Sequence, residues 1–195
     1  YISIRDTFTL RFVKELLPHR RDIKLTPDPV FGFNKNFPGV PTEKEIRAKF
    51  NIEGKYYLIC FYRSNWPSQG WANKLMEEAH KHGVKCISIP MPQGGRNSNF
   101  DQDIELPLDP LDWYALIKYS NAYIGNNMHP MIVAIHNNVP FFTYNIHGRS
   151  ILHGRIQLIK TSKEYDLISR FGLQRNLAPQ PFLRFISPKS VVKHI

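Results

Sequence analysis

His129 is the side chain whose sequence setting best suits proton transfer. A short apolar run, Ala122-Tyr123-Ile124, stops at Gly125, and the polar hinge Asn126-Asn127-Met128-His129 follows. Pro130 then opens an apolar segment of helical character, and a second β-rich run covers 140–144. Strand, glycine turn, helix and strand in that order describe a βαβ unit. Ligands of open α/β sheets bind where strands end and helices begin, because backbone N–H groups and the helix dipole converge there. An imidazole at that place can give or take a proton near neutral pH, a contribution of roughly 10²–10⁴-fold in rate. The bland alternative is a histidine bonding a backbone carbonyl at a helix start, and spacing leaves both readings open.

Several arginines could bind an anion beside it. Arg5 follows the strand-like run 1–4, so its guanidinium can fork onto a phosphate or carboxylate at a strand's carboxyl end. The competing account, which spacing favours somewhat, is an Arg–Asp pair with Asp6 as the helix cap. Asp28 stands between two prolines after a strand, as a turn residue or a substrate contact, and the turn is favoured. Arg63, with Ser64 and Asn65, follows the strand at 56–62. Arg96 sits in the Gly94-Gly95 loop and Arg149 follows Gly148. That glycine pair lacks the lysine of a phosphate loop. No nucleophile elbow appears, and His80 with His82 is poor zinc geometry. No metal or cofactor is expected.

The elements that must carry these residues alternate. Residues 1–4 read as a strand, 7–17 as a helix with Phe8, Phe12 and Leu16 on one face, and 23–25 as a strand. The stretch 31–41, rich in Gly, Pro and Asn, reads as a loop and linker. Thr42 and Glu45 form a capping box for a helix to about Phe50. A buried strand at 56–62 precedes a helix at 71–82, which Gly83 stops. A strand at 84–89 leads to a polar loop, and Asp109 caps a helix with Pro110 in its first turn. Such crossovers predict a parallel sheet wrapped by helices on both faces, a Rossmann-like α/β fold.

Among the 195 residues, 42% are apolar and 13% aromatic, which suffices for a packed core. The net charge of +10 calls for anionic partners. Its basic residues are scattered and no nucleic-acid motif appears, so nucleic acid is not the expected partner. Phosphorylated metabolites, acidic polysaccharide and an anionic membrane surface fit equally well. Cys60 and Cys86 lie in apolar strand-like runs at no redox or zinc spacing and read as buried thiols.

Taken together, ISIRDTFTLRFVKEL, LTPDPVF, YYLICFYR, LDWYALIKYSNAYIGNNMHPMIVAIHNNVPFFTY and the tail YDLISRFGL…SPKSVVKHI resemble the polysaccharide pyruvyl transferase family. The resemblance implies a glycosyltransferase-B-like fold with a cleft between two Rossmann-type halves. On this reading 1–31 is a remnant of the N-terminal half, 32–54 a linker and helix, and 55–195 the C-terminal Rossmann-like domain. Part of the N-terminal half would then be missing, and this chain alone is expected to retain weak anion binding and little transfer.

The family moves pyruvate from phosphoenolpyruvate to a sugar as a cyclic ketal, and the resemblance implies those two partners. Its members use an arginine like Arg5 and an Arg-Leu-His triplet for the donor. Here that triplet reads Asn127-Met128-His129, so the histidine is kept and the arginine is not. Arg63, Arg96 or Arg149 would supply the second basic group. Arg5 with that group would hold the donor, and His129 would transfer a proton at the enol carbon or the departing phosphate. Two neighbouring sugar hydroxyls would attack the same carbon in turn, without a metal. The implied localisation is cytoplasmic, with peripheral attachment to an anionic membrane among the readings. A nucleotide-sugar glycosyltransferase of the same fold and a degenerate, non-catalytic carbohydrate- or anion-binding domain are the competing functions.

Overall fold

The computed structural model describes residues 1–61, 68–89, 100–145, 149–151, 156–179 and 185–195. It opens with a βαβ unit: β1 (Ile2–Ile4), α1 (Thr7–Leu16) and β2 (Ile23–Leu25). The two strands are parallel, with Ile2 opposite Ile23 and Ile4 opposite Leu25. Asp6 caps α1 by accepting from the Thr9 amide at 2.8 Å. The apolar stripe of α1 marked the helix correctly but not its burial. No α1 residue is buried, and Phe12 and Leu16 are 60% and 62% exposed.

The stretch expected to be a loop after β2 is instead wound into a 3₁₀ turn, Pro29–Gly32, and α2 (Phe33–Asn36). Its phenylalanines find rings far along the chain. Phe33 stacks on Tyr114 at 4.4 Å between centroids, and Phe31 stacks on Phe171 at 5.4 Å. Aromatic pairs of this kind contribute about 0.5–1.5 kcal/mol beyond area burial, which anchors a segment whose Gly, Pro and Asn content argues locally for a loop. In α3 (Glu43–Lys49) the expected capping box is complete, with Thr42 and Glu45 each accepting from the other's backbone N–H.

Six parallel strands form the main sheet. β3 (Lys55–Cys60) is central and is followed by α4 (Gln69–His80), β4 (Val84–Ser88) and β5 (Gln102–Asp103). Next come α5 (Pro110–Lys118), β6 (Ala122–Gly125), α6 (Met128–His136) and β7 (Phe141–Asn145). A small antiparallel pair, β8 (Arg149–Ile151) and β9 (Ile156–Leu158), precedes α7 (Lys163–Ser169), β10 (Leu177–Pro179) and α8 (Pro188–His194). The order across the sheet is β10-β7-β6-β3-β4-β5.

Strand alternation divides the core. Tyr56, Leu58 and Cys60 pack with α3, α5, α6 and α7 on one face, while Tyr57 and Ile59 pack with α4 and α8 on the other. Both faces are covered, so the strands read as nearly continuous apolar runs. Gly83 ends the α4 region at φ +67°, a left-handed conformation that glycine adopts without strain. Ser68, accepting from the Trp71 amide, starts α4 two residues before the sequence pattern does. β5 is short and polar and so read as loop; it pairs along β4 with Gln102 opposite Ile87. The local pattern likewise does not mark β8, β9, α7, β10 or α8.

Cys60 and Cys86 are free, buried thiols on the paired strands β3 and β4, facing opposite layers. Burial pushes each thiol up to about 12, so little thiolate is present at neutral pH. Native-state labelling with a thiol reagent is therefore expected to be far slower than in denaturant. Fast labelling of both in the native protein would contradict this packing. Among the described residues, no helix is long and apolar enough to cross a membrane.

Candidate active site

The β6–α6 turn is built around Gly125. This residue pairs with Cys60 of β3 and Thr143 of β7. A Cβ there would stand 2.2 Å from the Cys60 carbonyl oxygen and 2.3 Å from the Tyr123 hydroxyl. Tyr123 thus lies along its own strand across Gly125, and its hydroxyl reaches the turn. It donates to the Asn127 carbonyl at 3.3 Å and accepts from the Asn127 amide at 3.4 Å. Glycine is required here by close approach rather than by an unusual φ.

Asn127 occupies the N-cap of α6, yet its side chain caps nothing. The first-turn N–H groups therefore lack the usual side-chain acceptor, at the positive end of the helix dipole. Buried residues from Pro130 to Ala134 hold the helix against the core, which leaves Met128 half-buried and His129 exposed at its start. Among the described residues the His129 imidazole has no hydrogen-bond or ion-pair partner.

The N-terminal arm meets this end of the sheet. Arg5 donates from Nη1 to Asp28 Oδ2 at 2.9 Å; Arg5 is 45% exposed and Asp28 only 6%. Asp28 also accepts from the Val30 amide at 3.1 Å, so its turn role and its ion pair coexist. The guanidinium keeps further N–H donors beyond the one bound to Asp28. Arg5, Asp28 and Met128 line one crevice, together with Ile132, Lys163 and Asp166. Its interior of about 20 Å³ has room for about one water, so a larger ligand would sit at its mouth.

Asp166 ties the arm to α7. It accepts from the Thr7 amide at 3.0 Å, from the Thr7 hydroxyl and from Arg170. Burial works to raise the Asp166 pKa, but the Thr7 donors and Arg170 hold it below the usual carboxylate range. Asp6, the remaining crevice carboxylate, is engaged by Thr9. Lys163, in contrast, is exposed and has no partner among the described residues. The three carboxylates of the crevice are thus committed to internal donors, while its one ammonium is unengaged among the described residues.

Of the sequence candidates, Arg5, Asp28 and Met128 come together, Asn127 adjoins Met128 as the N-cap, and His129 follows Met128 on α6 without lining the crevice. Arg63 and Arg96 lie outside the described residues. Arg149 starts β8, and its side chain is likewise outside them. Sequence reasoning missed Lys163 and Asp166. The Ser162 cap, accepting from the Tyr165 amide at 3.1 Å, was a signal for α7, but nothing local indicates that α7 faces Arg5.

A wider cleft of about 620 Å³ lies at the opposite, amino end of the sheet, lined by Lys55, His82, Lys189 and Lys193. Lys193 lies in the last turn of α8, where a cation complements the helix dipole, whereas Lys55 opens β3 and Lys189 lies in the first turn of α8. The cleft is remote from the strands' carboxyl ends. Among the described residues no group of three or more His, Cys, Asp or Glu could hold a metal.

A family model described as polysaccharide pyruvyl transferase matches residues 1–148. No curated protein matches the chain. Among solved structures, UDP-GlcNAc 2-epimerase of Methanocaldococcus jannaschii, in complex with UDP-GlcNAc and UDP, is similar in fold. The TM-score is 0.55 at 14% identity, over 92% of this chain and 49% of that one. The chain thus spans about half the length of that enzyme, and the likeness is one of fold.

Proposed function

Since this chain belongs to the polysaccharide pyruvyl transferase family, we propose that it takes part in moving pyruvate from phosphoenolpyruvate to a sugar as a cyclic ketal. The observation that carries the reading is the convergence of Arg5, Lys163 and the uncapped start of α6 on one crevice. Phosphoenolpyruvate carries a phosphate and a carboxylate, and each needs charged donors. Arg5, oriented by Asp28, would hold one of these groups. Lys163 would hold the other, supplying the cation that Asn127 does not. The α6 amides add partial positive charge at no reorganisation cost.

His129 stands in the same helical turn as Met128 and is the proposed proton-transfer group. The reaction consumes two sugar hydroxyls and releases phosphate. The first hydroxyl adds to the enol carbon as the methylene carbon gains a proton. The second hydroxyl then displaces phosphate from that same carbon, closing the ketal. One imidazole near this carbon can deliver the first proton or assist the departing phosphate. Asn127 and Met128 border this position, and Arg63, which follows β3 in sequence, and Arg149, the first residue of β8, remain candidate contacts.

Titration calorimetry with phosphoenolpyruvate tests the donor assignment. Arg5→Ala is expected to weaken binding by about 1.5–3 kcal/mol, the usual magnitude for a charge-assisted hydrogen bond. Unchanged affinity in that variant would remove Arg5 from the site. Greater thermal stabilisation by nucleotide-sugars than by phosphoenolpyruvate would favour the glycosyltransferase reading.

A further inference from the structure

We propose that α7 is a positioning element for Arg5, acting through Asp166 and Arg170. The inference rests on the reading of Arg5 as a contact to the donor anion. Arg170 donates from Nη1 to the Arg5 carbonyl oxygen at 3.0 Å and from Nη2 to Asp166. Asp166 in turn receives the Thr7 amide at 3.0 Å and the Thr7 hydroxyl. The backbone is therefore bound at the carbonyl of Arg5 and again at the amide of Thr7, two residues on. At its far end the Arg5 side chain is bound to Asp28. Root and tip of the guanidinium arm are both held.

On the α1 side polar bonds carry this placement, since α1, which continues from Thr7, buries none of its side chains, while the Phe31–Phe171 stack holds the arm beyond β2. The partners are 159 and 165 residues apart in sequence, so the arm and α7 are joined by tertiary contact alone. Lys163 opens the same helix and lines the same crevice. The bonds to Asp166 and Arg170 thus fix the separation of the two cations that would share the donor. A flexible arginine held in its binding geometry loses less freedom when the ligand arrives. Asp166 and Arg170 touch no substrate in this account; they act through Arg5.

A double-mutant cycle separates positioning from general structural support. Phosphoenolpyruvate affinity and Tm are measured for Arg170→Gln and Asp166→Asn, each alone and combined with Arg5→Ala. Arg170 is more exposed than Asp166, so Arg170→Gln keeps the test open if Asp166→Asn folds poorly. Each single variant is expected to lower affinity by on the order of tenfold, within the range of coupled neighbours. Arg170→Lys, which keeps the positive charge but not the two-pronged guanidinium, is expected to recover part of that loss. In the Arg5→Ala background the α7 substitutions should cost nothing further in affinity. Undiminished losses in that background would overturn the inference, as would wild-type affinity in both α7 variants while Arg5→Ala binds weakly. Wild-type affinity in Arg5→Ala would overturn the donor reading itself, and the positioning role with it.

Discussion

In an active form of the protein, His129→Ala is expected to lower phosphate release from phosphoenolpyruvate, measured with a sugar acceptor, by roughly 10²–10⁴-fold. Removing a general acid–base group from an otherwise intact site has that magnitude. Substrate affinity should change much less, because Arg5 and Lys163 would carry the donor's charges. The side chain is exposed at the first turn of α6 and has no partner among the described residues, so the substitution opens no cavity and breaks no bond. Tm should therefore remain close to that of the parent protein. A variant that turns over at the parent rate would exclude His129 from the chemistry and direct attention to Arg63 and Arg149. A large fall in Tm would show instead that the imidazole supports the fold.

Gly125→Ala should lower the stability of the fold sharply. The added Cβ would meet the Cys60 carbonyl oxygen at 2.2 Å, inside any permissible contact. That oxygen belongs to the backbone of β3 at the centre of the sheet, where the neighbouring strands leave it little room to shift. Tyr123 could swing away from its 2.3 Å approach, but only by releasing the Asn127 backbone that its hydroxyl holds. Overpacking of a filled core costs about 1–3 kcal/mol, occasionally more, and the upper part of that range applies. For a chain of this length it corresponds to a fall in Tm of roughly 6–12 °C. Thermal unfolding followed by far-ultraviolet circular dichroism measures it directly. A Tm within about 2 °C of the parent would mean that the β6–α6 turn is more yielding than its geometry indicates. Because His129 and Met128 hang from that turn, donor binding should weaken alongside stability.

Much of the architecture can be read along the chain because its causes are local. Asp6, the Thr42–Glu45 box, Asp109 before Pro110, and Gly83 act within one helical turn, and each does in the structure what its neighbours in sequence suggest. The apolar runs around Cys60 and Cys86 announce strands buried on both faces, and alternation along β3 sends Tyr56 and Tyr57 to opposite layers. The glycine turn before His129 is legible in the same way. By itself, then, the sequence determined the parallel α/β layering and the placement of an imidazole at a strand-to-helix junction.

Tertiary structure decided what has no local cause. The stretch after β2 is helical because Phe31 and Phe33 meet rings 140 and 81 residues away, on Phe171 and Tyr114; its own composition favours a loop. The stripe of α1 remains exposed because apolar spacing specifies a face and not what covers it. β5 exists because the edge of β4 offers unpaired backbone groups, which two polar residues satisfy without any apolar pattern. Arg5 could have paired with Asp6 beside it, yet Asp6 is engaged by Thr9 and Arg5 reaches Asp28 across β2. Lys163 and Asp166 join it only because α7 packs at the same end of the sheet. Helix caps and strand alternation act over a few residues, whereas a binding crevice is made by side chains that meet through the packing of distant segments.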